Sequence, residues 1–148
     1  MFDKYGEKLN QTMVGVYDAI RRVEQKMLQN AKLELSISEM DILEVVGKHR
    51  ECFCSASTIS KALRVTLPTV TVAVNRLVKK GYLEKTRSSE DGRMLSIVLT
   101  KRGRKADAVH RYFHEQAIRA MVKDLDEQGK AVLLQAMANL DRYLDQYI

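Results

Sequence analysis

The chain has 148 residues, of which 45% are hydrophobic and 30% charged, and its formal net charge is +6. This composition is typical of a soluble globular protein, and no apolar run approaches the ~20 residues that a membrane-spanning helix needs. The polar start MFDKYGEKLN does not resemble a signal peptide, so we expect a cytoplasmic protein.

Apolar side chains recur every third or fourth residue near the start of the chain and again at its end. This spacing is typical of a helix that packs lengthwise against another helix. We expect the two seams to pair across a two-fold axis in a homodimer, because a small domain has no obvious core to receive both. Burial in the domain's own core is the alternative. The first seam comprises Leu9, Met13, Val16, Ile20, Val23 and Met27, and the second comprises Leu133, Met137, Leu140, Leu144 and Tyr147.

Two short helices are predicted after the first seam. The Ser-x-x-Glu spacing at residues 36–39 is that of a capping box and predicts a helix over Ile37–Lys48. After a polar loop, either Ser55 or Ser57 can cap a short helix that ends near Leu63.

The polar loop contains both cysteines of the chain, Cys52 and Cys54. Their spacing is too close for an ordinary disulfide between them and too sparse for a zinc site. We expect reduced thiols without a function. A redox sensor is the alternative, because His49 and Arg50 lie close by in sequence.

A third helix is predicted after a turn at residues 64–65. Thr66 is suited to cap its start, and Pro68 falls in the first turn, where its missing N–H costs nothing. Gly81 predicts the end of the helix after Lys80, since glycine readily adopts the left-handed conformation. Four apolar residues of this helix are expected to face the core, namely Val70, Val74, Leu77 and Val78. Six others are expected to face outward, namely Thr69, Thr71, Val72, Asn75, Arg76 and Lys79.

A β-hairpin is predicted after this helix. Its strands cover about residues 82–87 and 94–99, and SSEDGR supplies the turn. Thr100 can cap a further helix that reaches about Met121, and the break LDEQG leads into the last helix. The helix that ends near Leu63, the tight turn, the third helix and the hairpin, in this order, predict a winged helix-turn-helix within a mainly α fold that has a small β-hairpin.

Positive charge is concentrated in the same segment. From Lys61 to Arg104 there are eleven Lys/Arg and three Asp/Glu, a balance of +8, whereas the remaining residues sum to −2. This distribution is typical of a DNA-binding protein. We therefore expect a single domain over residues 1–148, with a DNA-binding lobe at 36–103 and dimerisation helices at 1–35 and 104–148.

The third helix has the size and the side chains to read the major groove. Asn75 can pair bidentately with adenine, Arg76 can reach guanine or a phosphate, and the methyl groups of Thr69, Thr71 and Val72 can touch thymine. Backbone N–H groups at the helix start and nearby hydroxyls suit phosphate oxygens. Three more residues are assigned to the same DNA surface: Ser57, Thr66 and Lys79.

The charged tip of the hairpin is expected to enter the flanking minor groove. Arg87, Ser88 and Arg93 can contact DNA there, with arginine reading the narrow width of A·T-rich sequence. Asp91 is acidic in a surface that faces DNA, and we expect it to brace Arg87 or Arg93 through a charge-assisted pair.

These segments resemble the MarR family of bacterial regulators. The wing signature D-x-R followed by five residues and L-T-x-x-G stands here as Asp91, Arg93, Leu99, Thr100 and Gly103, and TVTVAVNRLVKKGYL matches the recognition helix of the family. The resemblance covers essentially the whole chain. It implies an obligate homodimer that binds palindromic operator DNA and regulates transcription. Many members respond to small phenolic ligands.

Two features of the chain depart from other branches of the family. Val72 stands where many members carry an arginine on the recognition helix, which puts the usual guanine contact in doubt. Some members sense oxidants through a cysteine in the first helix, and this first helix has none. We therefore do not expect the oxidant-sensing branch.

Three segments resemble the FabT-type repressors of fatty-acid-synthesis genes more narrowly: SISEMDILEVVGK, LPTVTVAVNRLVKKGYLEKTRSSEDGR and VHRYFH. This resemblance implies long-chain acyl groups on acyl carrier protein as the co-repressor, an apolar tunnel beside the dimer helices, and basic residues for the acidic carrier. A repressor released from DNA by a phenolic or other aromatic effector is the alternative.

His110 and His114 lie four residues apart and share a helix face beside Phe113. We expect a structural role in hydrogen bonding, and contact with the effector by these three residues is the alternative. Two histidines at this spacing can ligate a metal, but no carboxylate clearly completes a site, so we expect no metal and no cofactor.

No motif of the chain indicates catalysis. It has no nucleophile elbow, no phosphate-binding loop and no recognisable pair of buried carboxylates, so we do not expect an enzyme. A non-specific architectural DNA-binding protein is the other alternative class, although the threonines and Asn75 on the third helix favour sequence readout.

Overall fold

The computed structural model describes residues 1–87 and 92–148. Six α-helices, one two-stranded antiparallel sheet and a final 3-10 turn make up these residues. The elements in chain order are α1 Lys4–Asn30, α2 Ile37–Lys48, α3 Ala56–Leu63, α4 Leu67–Lys79, β1 Leu83–Arg87, β2 Leu95–Leu99, α5 Lys101–Val122, α6 Glu127–Leu144 and the 3-10 turn Asp145–Tyr147. The predicted mainly α fold with a small hairpin is confirmed.

Two compact units divide the chain, Met1–His110 and Arg111–Ile148. The first unit contains the hydrophobic core, whose largest fully buried side chains include Tyr82, Met40 and Leu43. None of the helices in the two described stretches is both long and apolar enough to cross a membrane.

Capping boxes fix the starts of α2 and α3. The Ser36 hydroxyl accepts from the Glu39 N–H at 3.1 Å, and the Glu39 carboxylate accepts from the Ser36 N–H at 3.0 Å. Ser55 and Thr58 exchange the same pair of bonds at the start of α3. The cap of α3 is therefore Ser55, whereas Ser57 lies inside the helix.

The turn between α3 and α4 is held by local bonds. Arg64 adopts the left-handed conformation with φ of 55°. The Ser60 hydroxyl donates to the Val65 carbonyl at 2.6 Å, and the Val65 N–H donates to the Ser60 carbonyl at 3.2 Å. This turn sets the direction in which α4 leaves α3.

The helix α4 ends as predicted, with Gly81 at φ +81°. Val70, Val74 and Leu77 are fully buried, but Val78 is 36% exposed and the inward placement expected for it is wrong. Successive helical residues rotate by ~100°, so Val78 lies about 80° from Val70, at the edge of the buried stripe.

Close backbone packing joins the hairpin to the start of α5. The Thr100 hydroxyl donates to the Gly81 carbonyl at 2.6 Å and accepts from the Gly103 N–H at 3.1 Å, while the Thr100 N–H donates to the Tyr82 carbonyl at 3.1 Å. A Cβ atom at Gly103 would collide with the Tyr82 carbonyl oxygen. The glycine of the wing signature is therefore required by space.

The two apolar seams remain largely exposed in the single chain. On α1, Leu9, Val16 and Val23 are exposed, and on α6 Met137 and Leu144 are exposed. Burial in the chain's own core, the alternative weighed from sequence, therefore does not occur for these residues.

Candidate nucleic-acid interface

The outward face of α4 is exposed as predicted. Thr69, Thr71, Val72, Asn75, Arg76 and Lys79 all lie at the surface. The Thr71 hydroxyl donates to the Leu67 carbonyl at 3.0 Å, and the hydroxyls of Thr66 and Thr69 lie 2.8 Å apart. With its hydroxyl engaged in the helix, Thr71 offers its methyl group, the group expected to touch thymine.

A bond from the hairpin orients Asn75. Lys85, on β1, donates from Nζ to Asn75 Oδ1 at 3.1 Å. An ammonium can only donate, so the amide oxygen must face it, and Nδ2 is left to donate to a base. The predicted bidentate pair with adenine needs Oδ1 as an acceptor as well, and Lys85 shares that atom.

A buried carboxylate, that of Glu39, lies beside Arg76 of α4 and Lys80, the residue that follows this helix. Glu39 is 5% exposed, and Lys80 Nζ donates to its Oε1 and Oε2 at 3.0 and 2.9 Å. Arg76 Nη1 lies 4.0 Å from Glu39 Oε1. Burial by itself raises the pKa of the Glu39 carboxyl, but the Ser36 N–H and the Lys80 ammonium outweigh burial and hold the pKa below its ordinary value of 4.5.

The hairpin has a regular register from Leu83 opposite Leu99 to Arg87 opposite Leu95. Arg87 Nη1 donates to the Gly92 carbonyl at 2.7 Å, which links the end of β1 to the residues that precede β2. Two further side chains predicted for the tip, Ser88 and Asp91, lie outside the described residues, as does the brace expected from Asp91.

The remaining residues assigned to the DNA surface are also accessible. Ser57, in the first turn of α3, and Arg93, beside the tip, are exposed. Thr66 is exposed at the N-cap position of α4, but its side chain does not accept from a helix N–H, so the capping bond expected there is not formed. A cavity of about 620 Å³ also adjoins α4, and Val65, Val72 and Arg76 are among its lining residues.

The cysteine loop packs against the hairpin. The Cys54 N–H donates to the Ser96 hydroxyl at 3.0 Å, and the Ile97 N–H donates to the Cys54 carbonyl at 2.8 Å. Burial, together with the neighbouring Cys52, raises the pKa of the Cys54 thiol to about 11. Cys54 is therefore a neutral packing residue, whereas Cys52 is exposed.

His110 lies between carboxylates from two helices of the first unit. It is 5% exposed, its Nε2 lies 3.3 Å from Glu24 Oε1 on α1, and its Nδ1 lies 3.5 Å from Glu44 Oε2 on α2. His114 and Phe113 belong to the second unit, where their rings meet edge to face at 5.3 Å.

Sequence reasoning missed the partners of these side chains. Glu39 was recognised as a helix cap, but nothing in its spacing points to Lys80, 41 residues away. The sequence gives only a weak indication that Glu24 has a partner, because it is an acidic residue that immediately follows Val23 of the α1 seam. The sequence gives no indication that Lys85 bonds to Asn75, because a lysine on a strand is ordinarily solvated.

Comparison with known proteins gives consistent matches. The sequence model of the MarR family matches residues 33–94. The crystal structure of Streptococcus pneumoniae FabT in complex with DNA aligns with a TM-score of 0.82 and 31% identity, over 96% of this chain and 99% of that one. The S. aureus MepR–DNA complex aligns with a TM-score of 0.73 and 20% identity, over 93% and 94% of the two chains, and supports the fold alone.

A sequence relative supports the same assignment. The HTH-type transcriptional regulator YhjH of Bacillus subtilis is 24% identical over 139 residues, which cover 90% of this chain and 78% of the relative. These matches agree with the exposed α4 face and the hairpin beside it. The chain belongs to the MarR family, a family of DNA-binding transcriptional regulators and not of enzymes.

Proposed function

We propose that the protein is a homodimeric repressor that reads a pseudo-palindromic operator through α4 and the hairpin. The observation that carries this proposal is the exposed face of α4, on which Asn75 accepts a hydrogen bond from the hairpin. Asn75 is held by Lys85, and Glu39 lies beside both Arg76 and Lys80. A prearranged surface of this kind lowers the entropy lost on binding.

Electrostatics and symmetry support the same proposal. The balance of +8 between Lys61 and Arg104 attracts the phosphate backbone and makes binding depend on salt concentration. Exposed apolar seams on α1 and α6 suit a two-fold interface. Such a dimer would present its two α4 helices to major grooves about one helical turn apart, ~34 Å along the operator.

We further propose that the regulated genes are those of fatty-acid synthesis, with long-chain acyl-acyl carrier protein as co-repressor. Support comes from the three segments that resemble FabT-type repressors and from the 31% identity to FabT over nearly the whole chain. The co-repressor must stabilise the DNA-bound arrangement more than the free one, because a ligand shifts an equilibrium only through its differential affinity.

Release by a phenolic or other aromatic effector is the second candidate. The cavity of about 620 Å³ beside α4 favours it, since this volume is in the range of small-molecule sites. Val72 and Arg76 line this cavity and also belong to the proposed DNA-binding surface. An effector bound there would compete directly with DNA.

Fluorescence anisotropy separates these possibilities. A labelled palindrome from the upstream region of the protein's own operon is titrated with the protein at fixed near-physiological salt. The titration is run with acyl carrier protein that bears a long-chain acyl group, with unacylated acyl carrier protein, and with neither. Tighter binding with only the acylated carrier is the expected result. An operator affinity that neither carrier protein changes would overturn the co-repressor proposal and favour an aromatic effector. Equal affinity for a scrambled duplex would overturn the operator-reading repressor.

A further inference from the structure

A buried negative charge lies beside one of the cations on the exposed face of α4. Arg76 Nη1 is 4.0 Å from Glu39 Oε1, which is close enough for an ion pair and too long for a hydrogen bond. The Arg76 side chain is 60% exposed, whereas that of Glu39 is 6% exposed. The pKa of the Glu39 carboxyl lies below its ordinary value of 4.5, so this group is ionised at neutral pH. The charge of Arg76 is therefore partly balanced before any DNA arrives.

The Glu39 carboxylate is fixed in position. The Ser36 N–H donates to its Oε2 at 3.0 Å, and Lys80 Nζ donates to both of its oxygens at 3.0 and 2.9 Å. Lys80 Nζ also donates to the Glu34 carbonyl at 2.9 Å. An ammonium has three donors, so these bonds use all of them, and Lys80 has no donor left for DNA. The carboxylate cannot follow Arg76 if that side chain moves.

Arg76 itself has room to move. Its guanidinium takes part in no hydrogen bond within residues 1–87 and 92–148. Arg76 and Glu39 both line the cavity of about 620 Å³ beside α4. The guanidinium can therefore turn towards a duplex or back towards Glu39 without breaking a hydrogen bond to the described residues.

A duplex offers this guanidinium two kinds of acceptor, the phosphate oxygens and the O6 and N7 atoms of guanine. Phosphates are present on every sequence, and a cation that neutralises one releases condensed counterions. A cation already balanced by a carboxylate releases fewer of them, and the buried carboxylate is screened only weakly from an approaching phosphate. A guanine edge has no net charge, so Glu39 opposes that contact less.

We propose that Glu39 determines DNA specificity by withholding Arg76 from phosphates and leaving it for a guanine edge in the major groove. Glu39 is buried, so it is a positioning residue that acts through Arg76. The proposal rests on the proposed use of α4 in DNA binding, and it chooses between the two contacts that the sequence leaves open for Arg76. Loss of the Glu39 charge should strengthen binding to every duplex and reduce discrimination between sequences.

The salt dependence of binding to a scrambled duplex tests the proposal. In anisotropy titrations at several NaCl concentrations, one phosphate contact contributes about 0.9 to the slope of log K against log[NaCl]. Arg76→Ala should reduce this slope by much less than that. Lys79→Ala, which removes an exposed cation from the same helix, should reduce it by about 0.9 for each bound chain. Glu39→Gln should steepen it by about the same amount and tighten binding by about 3- to 10-fold.

Double variants identify the cation that Glu39 controls. The effect of Glu39→Gln on the slope should disappear in an Arg76→Ala background and persist in a Lys80→Gln background. Glu34→Gln is the matched control, because it removes the same charge from an exposed residue five positions away. The Lys80 bond to Glu34 uses the backbone carbonyl, so this variant preserves it and should have the wild-type slope.

Two results would overturn the proposal. One is a full loss of about 0.9 in slope for Arg76→Ala in the otherwise wild-type chain, and the other is a Glu39→Gln effect that survives in the Arg76→Ala background. The first result decides the question even if Glu39→Gln does not fold. The scrambled duplex contains no operator, so neither result depends on operator reading. If Lys79→Ala also leaves the slope unchanged, α4 does not meet DNA, and the proposed function fails together with this inference.

Discussion

At the scale of single residues, Asn75 and Lys85 act as a pair in the proposed DNA surface. We expect Asn75→Ala to cost about 1–3 kcal/mol of operator affinity and to relax the preference at one base pair. Lys85→Ala should act partly through Asn75, so the double variant should lose less than the sum of the single losses, by about 0.5 kcal/mol or more. Anisotropy titration of the four proteins measures this coupling.

Lys79 provides the control for that cycle. It is exposed on the same helix, and no bond to Asn75 is seen in the described residues. Asn75→Ala and Lys79→Ala should therefore add to within about 0.5 kcal/mol. Additive losses for Asn75 and Lys85 as well would show that the bond between them has no role in DNA binding.

Glu39 links stability to pH. Its pKa is lowered in the folded chain, so the stability that its charge confers is complete above its ordinary value of 4.5 and is lost as pH falls through the lower folded value. We expect Glu39→Gln to lower the free energy of unfolding at pH 7 by about 1–3 kcal/mol, because the bonds from Lys80 lose their charged acceptor.

Urea unfolding at several pH values measures the effect. Glutamine can still complete the capping box with Ser36, so the helix start is preserved and the change isolates the charge. The difference between wild type and variant should shrink as pH falls below about 4.5. A difference that stays constant with pH would contradict the assignment to the Glu39 charge.

At the scale of elements, the end of α4 depends on a left-handed residue. A Cβ at Gly81 would meet no atom within 4 Å, so the cost of a side chain there is purely conformational. We expect Gly81→Ala to lower the free energy of unfolding by about 1–2 kcal/mol. Gly81→Asn should lose less, since asparagine tolerates this conformation, and equal losses in thermal melts would contradict the argument.

The hairpin is expected to contact DNA through its tip. Arg93 is exposed beside the tip, and we expect Arg93→Ala to cost about 1–3 kcal/mol of operator affinity without changing the melting temperature. Glu84→Ala, on exposed β1 away from the tip, is the control. A loss below a few tenths of a kcal/mol for Arg93→Ala would mean that the hairpin does not act as a DNA-binding wing.

The boundaries of the elements could be predicted because their causes are local. The Ser36–Glu39 capping box and the glycine at position 81 act within a few residues, and the structure places α2 and the end of α4 where these signals put them. The partners of His110 and Asn75 could not be predicted. Those contacts join different elements, over 86 residues in the case of Glu24, and depend on how helices pack.

At the scale of the whole molecule, the seam on α1 should hold two chains together. We expect Val16→Asp to give a monomer in sedimentation experiments, because a charge in an apolar interface cannot be solvated. Operator affinity should then fall by about 10²-fold or more, since the second half-site is no longer bound intramolecularly.

Gln25→Asp is the control for the dimer prediction. Gln25 lies on the opposite side of α1 from Val16 and is exposed, so this substitution adds the same negative charge outside the seam. This variant should remain dimeric. A Val16→Asp chain that also sediments as a dimer would place the interface elsewhere.

The bonds at the base of the hairpin fix its two ends independently of its tip. Thr100 closes the loop onto Gly81 and Tyr82, so everything between those residues is an insert whose ends are already fixed. Changes in the length or charge of the tip need not disturb either neighbouring helix. If the tip contacts the minor groove and α4 the major groove, as proposed, a chimaera that exchanges only the tip should inherit the minor-groove preference of its donor and keep the major-groove preference of this chain.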